Sequence, residues 1–296
     1  MISDTLFSPE VAGYREQIDQ HLDLYSQFDS DCPPRLSEAI RYSLLAPGKR
    51  IRPLLLLTAN QVCGGNIESA LPAACAVEMI HTYSLIHDDL PAMDDDDMRR
   101  GRPSCHVQFD EATAILAGDA LIPLAFEVIT QHTQPVSASA QCVMALARAA
   151  GASRLVGGQI DDLASEFSEP NVEILEHIHR RKTGALLAVS LELGGIIAGA
   201  SRENLDRLLN FGKHLGLAFQ IVDDLLDLGG EQAKMGKRTG KDAEHGKMTY
   251  PKVLGQAQSE LRAAEMTEQA IASLDSFGDA AEPLRKIARF VIERTA

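Results

Sequence analysis

The chain reads as all-α and as one domain, residues 1–296, in roughly ten or more helices. Three observations carry that expectation. Long segments of Ala, Leu, Glu, Arg and Ile show helical apolar spacing, whereas alternating strand patterns are almost absent. Pro, Gly and Asn punctuate these segments at short intervals. No low-complexity stretch separates one half from the other, so nothing marks a domain boundary.

Taken in order, the periodicity predicts helices at 11–26, then 36–45 after Pro33-Pro34, and 53–63 between Pro47-Gly48 and Gly64-Gly65. Further helices are expected at 69–90, 111–131 and 138–156, the last ended by Gly157-Gly158. The remainder reads as helices at 172–182, 185–200, 202–226, 251–258, 261–274 and 282–294. The segments 73–90 and 185–200 are apolar nearly all round and belong in the middle of a large bundle. The run 185–200 comes nearest to a membrane span, but Glu192 and its short length favour a buried helix.

A hydrophobic content of 45% over 296 residues is enough for a large core. A net charge of −14 argues against nucleic-acid partners, whose binding surfaces are basic, and against attraction to anionic membranes. The five cysteines are scattered without a CxxC pair, which suits reduced thiols in the cytoplasm. The amino terminus has no basic stretch leading into an apolar run, so no secretory signal is expected.

Polar residues on apolar helices are informative. Glu78, His81, Ser84 or Leu85, and Asp88 recur at helical spacing, so His81 and Asp88 share a face. A lone core histidine is ordinarily hydrogen-bonded structure; one seven residues from an aspartate pair invites a second reading. In FQIVDDLLD (219–227), Gln220, Asp223 and Asp227 share another face among apolar neighbours. Like charges at that spacing repel, and buried carboxylates without partners are costly, so a bridging divalent cation is the economical answer. Oxygen ligands without His or Cys suit Mg²⁺, Mn²⁺ or Ca²⁺, and two sparse carboxylate clusters without an EF-hand pattern fit Mg²⁺ better than a calcium cage. In HDDLPAMDDDDMRRG (87–101), a regular helix would set Asp88 and Asp94 about 240° apart. Pro91 cannot continue such a helix, so the chain must bend there and can return Asp94 toward Asp88. Asp95, Asp96 and Asp97 read as a solvated acidic loop. Arg99 and Arg100 follow at once, and arginines beside a carboxylate metal site suit a diphosphate. There is no GxxxxGK[ST] loop. Two further basic patches, GKRIRP (48–53) and GKRTGKD through GKMTYP (236–251), favour polyanion binding.

With these motifs, together with GD (118–119), GGQ (157–159) and RKTG (181–184), the chain resembles the trans-isoprenyl diphosphate synthases, and closely their bacterial farnesyl diphosphate members. The resemblance implies an isoprenoid-synthase bundle around a deep central cavity, three Mg²⁺ per site (replaceable by Mn²⁺), and a homodimer without membrane insertion. It makes Asp88, Asp94 and Asp223 the metal ligands, supported by Asp89, Asp224 and Asp227. Arg99, Lys182, Lys237 and Lys247 would hold the allylic diphosphate; Lys49, Arg52, His81 and Arg100 would hold isopentenyl diphosphate. Thr183 and Gln220 would turn oxygen dipoles toward the developing allylic cation. The departures are small: relatives often carry Lys at Arg102 and an apolar residue at Asp161.

Tyr83 lies about 7 Å before Asp88 along the helix axis, where its ring can form a floor. In the resembled family an aromatic here, with two extra residues inside the first aspartate motif, goes with farnesyl diphosphate, built from isopentenyl with dimethylallyl and geranyl diphosphates. The alternatives are a geranylgeranyl diphosphate synthase, a helical metal-dependent phosphohydrolase suggested by the His87-Asp88 dipeptide, and a catalytically silent synthase subunit.

Overall fold

Helices supply nearly all regular structure in the computed structural model, which describes residues 9–165, 169–228 and 247–293. The first half holds α1 (Pro9–Tyr25), α2 (Pro34–Leu44), α3 (Ile51–Val62) and α4 (Ile67–Asp88). A minimal hairpin follows, β1 (Met98–Arg99) against β2 (Arg102–Pro103), and then α5 (Cys105–Gln108) and α6 (Glu111–His132). Next come α7 (Val136–Ala150), α8 (Leu155–Ala164) and α9 (Val172–His179), which runs through a π-helical turn (Arg180–Gly184) into α10 (Ala185–Ile197). The chain ends in α11 (Arg202–Leu228), α12 (Tyr250–Leu254), α13 (Gln256–Ala272), a 3-10 turn (Asp275–Ala281) and α14 (Glu282–Glu293).

Local chemistry sets several starts. The Asn66 side chain accepts from the Glu68 amide at α4, Asp110 accepts from Thr113 at α6, and Asn171 accepts from Glu173 and Ile174 at α9. Each such cap is worth about 1 kcal/mol.

The core divides into two apolar groups that share α3 and α10. Leu54, Leu57, Leu186 and Val189 pack with α4, α6 and α7, while Leu55, Leu187 and Leu191 pack with α11, α13 and α14. A helix apolar all round can face two groups at once, which is why 185–200 lies central. It also means that α4 and α11, the two aspartate-bearing helices, are set against one common support, since both pack on α10.

Three expectations need correction. Gly157-Gly158 does not end a helix: the break falls at Gly151, and the pair lies inside α8. Glycine in a helix interior costs about 1 kcal/mol, but here close approach decides. A Cβ on Gly158 would lie 2.4 Å from the Lys182 amide nitrogen, and one on Gly157 would lie 2.0 Å from the Ala152 carbonyl oxygen. Second, Gly255 (φ 81°) separates α12 from α13, where 251–258 reads as one helix. Third, among the described residues the helix long and apolar enough to cross a membrane by length and composition is α6, not 185–200.

Replacing Gly158 with Ala should press α8 off the π turn and destabilise the fold by about 1–3 kcal/mol, the usual range for overpacking. Thermal denaturation followed by circular dichroism checks this; an unchanged midpoint would remove the close-packing argument.

Candidate active site

At the carboxyl end of α4 the backbone turns back on itself. The Asp94 amide donates to the Asp88 carbonyl (2.8 Å), Asp95 to Leu90 (3.2 Å) and Asp96 to Asp89 (3.1 Å). Asp95 takes φ 48°, the left-handed region that non-glycine residues rarely adopt. The bend expected from Pro91 is therefore present, and it returns Asp94 to the last turn of the helix.

The two neighbouring aspartates serve different partners. Asp89 is buried and receives the Arg99 guanidinium on both oxygens, with Nε at 2.9 and 3.1 Å and Nη2 in close contact. Arg99 also reaches Asp96 (3.2 Å), so the acidic loop is not wholly solvated as its composition suggests. Asp88 is half-buried and makes no side-chain hydrogen bond or ion pair among the described residues. Burial pushes its carboxyl up to about 6, with Asp94 and Asp89 adding to the effect and Lys182 and Arg99 opposing it.

Across from α4, the π turn carries Lys182 and Thr183, and single π turns are common at functional sites. Lys182 Nζ lies 2.7 Å from Asp162 Oδ2; Lys247 Nζ lies 3.0 Å from Asp94 Oδ1 and 3.9 Å from Asp162 Oδ2. Both ammonium groups are held above their ordinary range against burial, Lys182 by Asp162, Asp88 and Asp94, Lys247 by Asp94 and Asp162. Two lysines thus sit where the aspartates want positive charge.

On α11, Asp223 and Asp227 are half-buried one turn apart. Gln220 does not bond within that pair: its Nε2 donates to Asp224 Oδ1 (3.0 Å), and its Oε1 accepts from Thr183 Oγ1 (3.1 Å). Asp224 is buried, and its other oxygen accepts from the Tyr250 amide (2.9 Å). Both oxygens of Asp224, expected from the resemblance to support the metal, thus accept hydrogen bonds from Gln220 and the Tyr250 amide.

A second basic patch adjoins the first. Arg52 Nη1 lies 3.2 Å from His81 Nε2, and since Arg can only donate, that nitrogen is the acceptor of a neutral ring. Burial, then Arg52, Arg100, Arg99 and Arg50, hold His81 well below its ordinary value. Burial brings Arg52 down to about 10, aided by Arg100 and opposed by Glu78 and Asp223. Glu78, fully buried, pairs with Arg50 (2.8 Å) and stands 3.6 Å from Arg100. Arg100 has φ 54°, and a Cβ on Gly48 would lie 2.9 Å from its Nη1, so the glycine admits the guanidinium. Lys49 is exposed beside it. Two carboxylates, Glu78 and Asp19 (2.8 Å from Arg50), against Arg50, Arg52 and Arg100 leave positive charge in surplus.

Tyr83 is buried on α4, its ring edge-on to His87 at 5.7 Å. His87 Nε2 lies 3.0 Å from the Ile115 carbonyl, an acceptor to which it must donate, and a Cβ on Gly118 would lie 2.2 Å from that nitrogen. The dipeptide His87-Asp88 thus has a structural histidine, with no ligand lone pair on Nε2. Lys237 lies outside the described residues.

Sequence reasoning missed Asp162, which gathers both lysines, and gave no role to Gln159 of the GGQ motif, one turn earlier, whose amide nitrogen and oxygen are buried without partners among the described residues. The signal available was their common face on GGQIDD, three residues apart. Asp161 pairs with Arg181 at the surface, and Arg102 stacks on Tyr42 at 4.0 Å, which accounts for both departures.

Among the described residues no three His, Cys, Asp or Glu side chains converge on a metal by themselves. The donor set still fits Mg²⁺, which takes one or two carboxylates and completes its shell with water and substrate phosphate. Asp88 without a partner and Asp94 with an ammonium at 3.0 Å are oxygen donors placed for a cation.

The polyprenyl synthetase family model matches residues 33–282. The chain is 47% identical over 265 residues to the geranylgeranyl diphosphate synthase of Cyanophora paradoxa, covering 88% of each. It is 46% identical over 247 residues to the farnesyl diphosphate synthase of Bacillus subtilis (strain 168), covering 82% of this chain and 83% of that one. An apo FPP/GFPP synthase from Zymomonas mobilis superposes with a TM-score of 0.85 at 38% identity, over 96% of this chain and 97% of that one. By sequence and fold together, the chain belongs to the polyprenyl synthetase family of prenyltransferases.

Proposed function

We propose that the protein condenses isopentenyl diphosphate with dimethylallyl and then geranyl diphosphate to give farnesyl diphosphate. The observation that carries this reading is the pairing of two charged clusters of different character, each suited to a diphosphate. One mixes carboxylates with lysines (Asp88, Asp94, Lys182, Lys247); the other is a half-buried surplus of guanidinium charge around a neutral imidazole (Arg52, Arg100, His81). A hydrolase or a cyclase needs one diphosphate pocket, whereas joining two diphosphates needs two.

In this reading Asp88, Asp94 and Asp223 hold Mg²⁺, with Asp227 in support. The bound ions would neutralise the charge that grows on the departing diphosphate. Lys182, Lys247, Lys237 and Arg99 bind the same leaving group and stabilise its charge as the allylic carbon–oxygen bond breaks. Lys49, Arg52, His81 and Arg100 orient isopentenyl diphosphate, which fixes its double bond near the allylic carbon. Thr183, held by its hydrogen bond to the Gln220 carbonyl, directs an oxygen dipole toward the cation, and an apolar cavity would exclude the water that quenches it. The isopentenyl double bond attacks the allylic carbon to form the new carbon–carbon bond, and the departing diphosphate takes up the proton lost as the product double bond forms.

Product length follows from Tyr83. A buried ring one and a half turns behind Asp88, braced by His87 against α6, supports a floor suited to the farnesyl chain. Several relatives are named geranylgeranyl diphosphate synthases, and that longer product is the second reading.

Homodimer formation is supported by α6, where Ile115 and Leu116 are 43% and 57% exposed. Free cysteines, three of them buried, support a reducing, cytoplasmic setting.

Incubation with Mg²⁺, isopentenyl diphosphate and dimethylallyl diphosphate should yield farnesyl diphosphate by mass, and Tyr83→Ala should shift the product to longer chains. A wild-type geranylgeranyl product would establish the second reading instead; an unchanged product in the variant would remove Tyr83 as the floor. Asp88→Ala should lower turnover by at least about a hundredfold with an intact helical spectrum. Leu116→Arg should shift the protein from dimer to monomer in light scattering coupled to gel filtration; a monomeric wild type would end the homodimer reading.

A further inference from the structure

The hydrogen bonds around Asp224 have a direction. A carboxylate only accepts, so the Gln220 amide must turn its NH₂ to Asp224 Oδ1 (3.0 Å) and its carbonyl to Thr183 (3.1 Å). The Thr183 hydroxyl must then donate to Gln220, which leaves its lone pairs, and no proton, for the half-open side of the π turn next to Lys182. The other carboxylate oxygen accepts from the Tyr250 amide (2.9 Å), three residues beyond Lys247, which bonds Asp94. His179, stacked on the Tyr250 ring at 5.6 Å, closes the same pocket 3.7 Å from that oxygen.

We propose that Asp224 is a positioning residue: through Gln220 it sets the polarity of the Thr183 hydroxyl, so that oxygen lone pairs meet developing positive charge. It does this while anchoring the backbone that carries Lys247. The proposal rests on the function given above and assigns Asp224 no part in holding divalent ions.

The variant Asp224→Asn isolates this role. Its single oxygen stays with the Tyr250 amide, a donor that cannot rotate, so its NH₂ faces Gln220 and forces that amide to flip. Thr183 then receives a hydrogen bond and turns its own proton outward. The expected result is a kcat about a hundredfold lower with KM for both diphosphates unchanged. Calorimetry with inorganic diphosphate and Mg²⁺ should give the wild-type Kd. The charge exchange Asp224→Asn with Gln220→Glu restores the direction, since the introduced amide donates to the introduced carboxylate, which in turn accepts from Thr183. That double variant should regain at least about tenfold in kcat over Asp224→Asn.

Wild-type kcat in Asp224→Asn, or no recovery in the double variant, would overturn the relay while leaving the proposed reaction standing. Loss of Mg²⁺-dependent diphosphate binding in Asp224→Asn would make Asp224 a metal ligand and overturn it as well. A wild-type protein that forms no prenyl product would bring down the proposed reaction and the relay together.

Discussion

Charge held partly out of water with too few partners is the constraint on which the rest depends. Removing an ionised group from water is costly, and the cost is recovered only if an opposite charge arrives with good geometry. Arg99 and Asp89 satisfy each other in this way, and so do Arg50 and Glu78. Asp88 on one side, and Arg52 with Arg100 on the other, are left short. Such deficits oppose folding, so they persist where the bound state relieves them. A diphosphate with divalent ions supplies both signs at once.

Helices with glycine at the crossing points make that arrangement possible. Gly158 lets α8 close on the π turn, and a Cβ on Gly216 would stand 2.8 Å from the Gly184 Cα, so α11 closes on the other side. The turn that carries Lys182 and Thr183 is thereby held between two helices. A π turn adds one residue to the helical circuit, and this offsets the RKTG segment from the faces that regular spacing would assign.

Tyr83 and α6 meet through a single side chain. His87 braces the Tyr83 ring and donates to the carbonyl of Ile115, whose side chain lies on the exposed apolar face. The position of the Tyr83 ring therefore depends on how firmly α6 is held.

Much was legible in the residues alone. The all-α class, the central place of 185–200, the bend at Pro91, and the two aspartate motifs with their flanking cations follow from periodicity, proline chemistry and charge, which are local properties. The glycine pair in α8, the π turn, the turn at Gly255 and the partners of Asp89, Asp162 and Asp224 do not. Each depends on an atom brought from elsewhere in the chain: Lys182 against Gly158, Arg99 on Asp89, the Tyr250 amide on Asp224. Spacing along a helix tells which way a carboxylate points, but only the packed neighbours decide whether it meets a guanidinium, a backbone amide or an open site.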